Sequence, residues 1–243
     1  MKLDILVFAA HPDDAELSCS GTIAAHIAQG KKVGIVDFTA GELGTRGSVA
    51  IRQAEAKAAS EALGLSVRDN LQLKDGFFEN NAEAQLAVIK AIRTYQPEIV
   101  LANALEDRHP DHGRGAKLAY EACFLAGLEK IKTQSAQEEP QKAWRPKALF
   151  HYIQDLYMTP DFIVDISAFW THKMAAIKAF RSQFYDPDSK EADTYISSPT
   201  FLEALEARAK EMGHAIGVAY GEGFVKRRAL GVQSLFDFKT FDQ

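Results

Sequence analysis

The sequence predicts an α/β chain built on a mainly parallel sheet with helices on both faces, and three observations carry that expectation. Short aliphatic runs alternate with helical patterns, the rhythm of crossover connections. Two of the runs, LDILVFAA and EIVLAN, are nearly unbroken, as strands buried on both faces must be. A histidine-proline-aspartate cluster follows each of these runs, where an open parallel sheet gathers its ligands, at the carboxyl ends of its strands.

In chain order, residues 3–10 form the first strand, and a helical pattern over 22–29 ends at Gly30 in the usual C-terminal position. Residues 32–39 form the second strand, followed by the polar, glycine-rich loop GELGTRGS over 41–48. An Ala-rich helix spans 49–63 and stops at Gly64; a short strand follows at 70–73. A further helix over 82–95 ends before Pro97, then come a strand at 98–103 and a helix at 113–126. Residues 133–146 are polar, hold Pro140 and Pro146, and read as a surface loop. Strands at 148–153 and 162–166 and helices near 168–181 and 200–218 complete the pattern. The polar stretch FYDPDSKEADTYISSP between those two helices suits a mobile lid as well as an inert loop.

A chain of 243 residues, 47% hydrophobic, suits one core, so a single domain over 1–243 is expected. Its formal net charge of −5 argues against a nucleic-acid partner, which needs a basic face for phosphates. Cys19 and Cys123 are too few for a disulfide framework and read as reduced structural thiols. The N-terminal apolar run lacks a cleavage site, and nothing approaches the roughly 20 apolar residues of a membrane span. A cytoplasmic protein that binds no membrane is the expectation.

The chemistry concentrates in His11-Pro12-Asp13-Asp14-Ala15-Glu16 and Arg108-His109-Pro110-Asp111-His112. A catalytic zinc takes three His, Asp or Glu ligands and leaves a fourth position for water. His11 and Asp14, three apart, fit one turn that presents both to one point, and His112 supplies the third ligand from the other loop. That leaves Asp13 as an unspent carboxylate beside the water, the expected general base. His109 can face the same site to hold an oxyanion or protonate the departing amine, with Asp111 as the partner that raises its pKa. Either cluster alone also reads as a helix start, Pro in the first turn and Asp on the N-terminal dipole. Finding both, each after a strand, favours the metal. His26, His151, His172 and His214 lack acidic neighbours in a comparable arrangement and read as structural, with His151 nearest the site. Glu42, Arg46 and Arg52, in or just after the glycine loop, and Arg108 are candidate contacts to a polar or anionic substrate. A solvated loop before a capped helix is the plainer reading.

At AHPDDAE and RHPDH the sequence strongly resembles the LmbE-like (PIG-L) family of zinc N-acetylglucosamine deacetylases. Within it, the likeness is nearest to the branch that deacetylates N-acetylglucosaminyl-malate in bacillithiol biosynthesis. It runs nearly end to end, through EDRHPDHGRGAKLAYEA, FIVDIS, SQF and GVAYGEGF, and is weakest in the lid-like stretch. The resemblance implies a Rossmann-like fold and a hexamer of two trimers. It implies zinc on His11, Asp14 and His112, Asp13 as base, His109 as acid or oxyanion partner with Asp111 behind it, and substrate contacts from Arg52 and Arg108. The same donor set would also accept iron(II), cobalt or manganese. Other readings are deacetylation of a different N-acetyl amino sugar, a mycothiol-type conjugate amidase, and a zinc- or sugar-binding protein of the same fold. A nucleotide-dependent oxidoreductase is disfavoured, because the first strand leads into HPDDAELSCSG and not a G-x-G-x-x-G turn.

Overall fold

The computed structural model describes residues 1–237, with strands β1 (Ile5–Ala9), β2 (Val33–Thr39), β3 (Val67–Leu73), β4 (Ile99–Ala102), β5 (Ala148–Tyr152), β6 (Phe162–Asp165) and β7 (Gly221–Lys226). The longer helices are α1 (Asp14–Ala28), α2 (Val49–Leu63), α3 (Ala82–Tyr95), α4 (Pro110–Leu125), α5 (Trp170–Lys178) and α6 (Phe201–Ala215). They surround a seven-stranded sheet of order β3-β2-β1-β4-β5-β7-β6. β1 to β5 pair in parallel, whereas β7 inserts antiparallel between β5 and β6. The α/β expectation with a mainly parallel sheet holds.

β1 and β2 are buried along their whole lengths, and successive side chains feed opposite layers. Val7 and Ala9 join the layer under α1, α2 and α5, while Leu6 and Phe8 join the layer under α3 and α4. Truncating Phe8 to Ala would cost about 3–5 kcal/mol. Local signals set the helix ends. The Ser48 hydroxyl accepts from Ile51 N–H, the Asn81 side chain accepts from Ala84 N–H, and Gly64 closes α2 at φ 73.

Two helix starts and one whole strand depart most from expectation. α1 begins at Asp14, eight residues before the predicted Thr22, because its first turn carries polar and small residues with no apolar period. α4 begins at Pro110, with His109 as N-cap, and not at Gly113. β7 was not expected as a strand, since its two glycines dilute the strand signal. Because β1 and β4 sit side by side at the centre, the loops after them, HPDD and EDRHPDH, emerge together on one edge. That edge lies where the crossovers switch direction from β1–β2–β3 to β4–β5.

Candidate active site

A cleft of roughly 320 Å³ opens at this edge, lined by His11, Asp13, Asp14, His109 and His112, with Arg46, Arg52 and Arg108 around them. One Asp14 oxygen lies 3.6 Å from His11 Nδ1 and the other 3.1 Å from His112 Nε2. The far nitrogen of each imidazole is committed elsewhere. His11 Nε2 meets Asp75 at 3.0 Å and Asp111 at 3.3 Å, and His112 Nδ1 meets Asp107 at 2.5 Å. A carboxylate on one ring nitrogen fixes the tautomer and leaves the other lone pair for a cation. Asp14 is itself oriented by Asn103 Nδ2 at 3.0 Å, Gln154 Nε2 at 3.2 Å and the His11 N–H at 3.0 Å. The donor set therefore fits a divalent metal: two lone pairs and one carboxylate converge, each braced from behind.

Among the described residues, two groups of donors have atoms all within 4.8 Å of one another, His11/His109/His112 and His11/Asp75/Asp111. In the second, His11 Nε2 is hydrogen-bonded to both carboxylates, so it describes the bracing layer. In the first, His109 has a separate position. Its Nδ1 accepts from the Asp111 backbone N–H at 3.2 Å, so the ring proton sits on Nε2. Asp111 was expected to brace His109 with its carboxylate. The structure corrects this: the carboxylate turns to His11, Gly76 N–H and Arg114, and only the backbone serves His109. Nor is His109 raised. Burial and the neighbouring His11 and His112 charges push its pKa down, outweighing Asp111 and Asp14, which makes it a neutral donor.

Asp13 occupies a left-handed conformation at φ 114, unusual for a residue with a side chain. Arg52 holds it there, donating to Pro12 O at 2.5 Å and to Asp13 Oδ2 at 2.9 Å. Arg52 was expected to touch substrate; it lines the cleft, but its guanidinium is turned to this loop and to Gly41 O. No hydrogen bond among the described residues engages Asp13 Oδ1. Burial pushes the Asp13 carboxyl up to about 7, against the lowering pull of Arg52. Burial would raise Asp14 as well, but the His112 and His11 charges hold it well below the usual carboxylate range. Adjacent carboxylates driven in opposite directions suit a base beside a ligand.

The other expected contacts divide. Arg46 is buried in the cleft wall and donates to Ser189 at 2.6 Å, bringing the 184–199 stretch over the site. Arg108 is half exposed, ion-paired to Asp155 at 3.3 Å and stacked 4.4 Å over Tyr195. Glu42 is not among the residues lining the cleft, and its carboxylate accepts from Asp75 N–H at 2.8 Å. Reasoning from sequence missed Asp75, Asn103, Asp107 and Gln154. Each follows or ends a strand at the same sheet edge, and that position was the available signal.

The PIG-L family model, described as GlcNAc-PI de-N-acetylase, matches residues 6–123, from β1 into α4. A 4-oxalmesaconate hydratase from Pseudomonas putida is 31% identical over 193 residues, 73% of each chain. The crystal structure of a conserved protein from Thermus thermophilus is 38% identical, with a TM-score of 0.84 over 95% of this chain and 98% of that one. The chain belongs to the PIG-L (LmbE-like) family. Another structure similar to this PIG-L chain is the N,N'-diacetylchitobiose deacetylase of Pyrococcus horikoshii, 28% identical, with a TM-score of 0.76 over 91% of this chain and 82% of that one. PIG-L relatives thus include sugar deacetylases and a hydratase.

Proposed function

We propose that this PIG-L chain is a zinc-dependent hydrolase that removes the acetyl group from an N-acetylglucosamine glycoside, with N-acetylglucosaminyl-L-malate of the bacillithiol pathway as favoured substrate. The observation that carries the reading is Asp13, which lines the cleft beside the donors of His11, Asp14 and His112 with no hydrogen bond to its Oδ1 among the described residues. A binding or storage site needs no spare carboxylate held in a strained conformation beside its ligands. The deacetylases among the relatives support the substrate class.

A divalent cation on His11, Asp14 and His112 would supply Lewis acidity and a water of lowered pKa. Asp13 would act as the base, taking a proton from the attacking water as its oxygen adds to the acetyl carbon. His109 Nε2–H donates to the carbonyl oxygen as negative charge develops there. The C–N bond then breaks, the amine nitrogen receives the proton held by Asp13, and acetate and the free amino sugar leave. Arg46 and Arg108 at the cleft wall suit the malate carboxylates.

The identity to a hydratase favours a second reading, addition of water to an unsaturated acid at the same site. Incubating the purified protein separately with N-acetylglucosaminyl-malate, N-acetylglucosamine and 4-oxalmesaconate decides between them. Amine release that strongly prefers the malate glucoside is expected; equal release from both sugars keeps the deacetylase and removes the pathway. Consumption of 4-oxalmesaconate alone overturns the proposal.

Among the described residues no helix is long and apolar enough to cross a membrane. A cytoplasmic homo-oligomer, the hexamer of the resemblance, belongs to this proposal. It is supported by the exposed Tyr120, Phe124, Leu235 and Phe236 and is checked by light scattering.

A further inference from the structure

The hydrogen-bond ladder of α1 is interrupted one turn after Asp14, and the groups that fill the gap come from the far end of the chain. Cys19 leaves helical backbone, at φ −140 and ψ 15. In an unbroken helix the Gly21 N–H would bond Leu17 O. Here Gly21 N–H donates to Glu222 Oε1 at 3.0 Å, Lys173 Nζ donates to the same oxygen at 2.7 Å, and that Nζ also donates to Leu17 O at 2.7 Å. An ion pair is spliced into the place of one helical hydrogen bond. Its other contacts extend the splice: Thr22 N–H donates to Glu222 Oε2 at 2.7 Å, and Lys173 Nζ reaches Glu16 O at 3.2 Å.

The charges match the ends they meet. The ammonium sits on the carbonyls that close the first turn, and the carboxylate on the N–H groups that open the second. Lys173 and Glu222 are 2% and 4% exposed, and neither lines the cleft. A simpler way to build this corner would be a continuous helix, with no buried charge to desolvate. The break instead frees the turn Asp14–Ser18 from the rest of α1. The downstream part lies tight on residue 166, where a Cβ on Gly21 would come within 2.7 Å of the Ile166 side chain. The turn that carries the metal ligand is therefore held by α5 and β7, through Lys173 and Glu222.

We propose that Lys173 and Glu222 are positioning residues that set the Asp13–Asp14 turn against His112, acting through the carbonyls of Glu16 and Leu17. This rests on the metal reading above, and the test separates the two. Metal-free wild type, Glu222→Gln, Lys173→Met and Glu222→Asp are titrated with Co(II), reading affinity and the visible absorption band. Amide exchange at Gly21 and Thr22 is followed in the same metal-free samples. Ile89→Ala, in the opposite core layer on α3, is the control for lost stability. Glu222→Asp keeps the charge and shortens its reach, so it gives the readout in a milder form should the neutral variants not fold.

The expected result is Co(II) affinity at least tenfold weaker in Glu222→Gln and Lys173→Met, an intermediate loss in Glu222→Asp, altered absorption bands, and faster exchange at Gly21 and Thr22. Ile89→Ala should lose melting temperature and keep wild-type affinity. Folded Glu222 variants with wild-type affinity and absorption, despite faster exchange, would overturn the proposal and reduce the pair to a stability element. Wild type that binds no Co(II) would overturn the metal reading, and this inference with it.

Discussion

The chain uses the tripeptide His-Pro-Asp twice at one sheet edge, and the two copies part at the aspartate. In both, the next residue is the expected ligand, Asp14 or His112, and its N–H turns back to the leading histidine's carbonyl, at 3.3 Å and 3.1 Å. After β4 the copy starts an ordinary helix: His109 caps, Pro110 takes the first position, and Asp111 lies in the first turn with its carboxylate against His11. After β1 the copy is strained: Asp13 is left-handed, Arg52 ties it down, and α1 breaks a turn later. A non-glycine residue in that region costs on the order of 1–3 kcal/mol, which its surroundings must offset. One backbone conformation thus separates a carboxylate that faces the cleft from one that braces a ligand.

Both copies bring their expected ligands together, so removing the proposed cation should have the largest effect. Dialysis against a chelator is expected to abolish amine release, with zinc restoring it; full turnover after verified metal removal would leave the convergence without a purpose. Asp111→Asn sharpens the contrast, because a bracing residue should act on the metal and not on the chemistry. Its metal affinity should fall roughly 10–100-fold while kcat at saturating metal stays within a few-fold. A large kcat loss at full occupancy would place Asp111 among the reacting groups. Arg52→Lys probes the strained copy alone. Nη2 grips Pro12 O and Asp13 while Nη1 reaches Gly41 O, a span that a single ammonium on a different stem cannot cover, so kcat should drop about tenfold with a lower melting temperature. An unchanged pair of values would show that the loop holds itself.

The smallest effect concerns the ordinary copy. His151 Nδ1 donates to Asn103 O at the end of β4, and its Nε2 accepts from Arg227. Burial, with Arg227 adding to it against the Asn103 bond, holds this imidazole down to about 4, from an ordinary 6.5. Below pH 6.5 the unfolded chain takes up a proton that the folded one refuses. The contribution to stability is full above 6.5 and is lost as the pH falls toward 4, on the order of 3 kcal/mol. Urea denaturation of His151→Gln should show a shallower decline across that window; an identical decline would assign the acid sensitivity elsewhere.

The sheet was legible because β1, β2 and β4 are short aliphatic runs that nothing but a doubly covered strand explains. The meeting of His11, Asp14 and His112 was legible because both clusters follow such runs. Other features depended on contacts distant in sequence. β7 reads as loop because Gly221 and Gly223 dilute it, yet Gly21 and Thr22 are capped by its Glu222. The start of α1 was hidden because its first turn has no apolar period. Asp13 and Asp111 occupy equivalent places in the same tripeptide, and only the backbone tells them apart. Asp75 and Asp107 were invisible as partners, since a carboxylate bracing an imidazole has no spacing of its own.

The central claim is that Asp13 moves the proton while its neighbours hold the metal, and Asp13→Asn, loaded with zinc, tests it most directly. Metal content and amine release are measured on the same sample. Full occupancy with turnover reduced roughly 10²–10⁴-fold is the predicted result. Full occupancy with near wild-type turnover would contradict it and return the role of base to another group in the cleft.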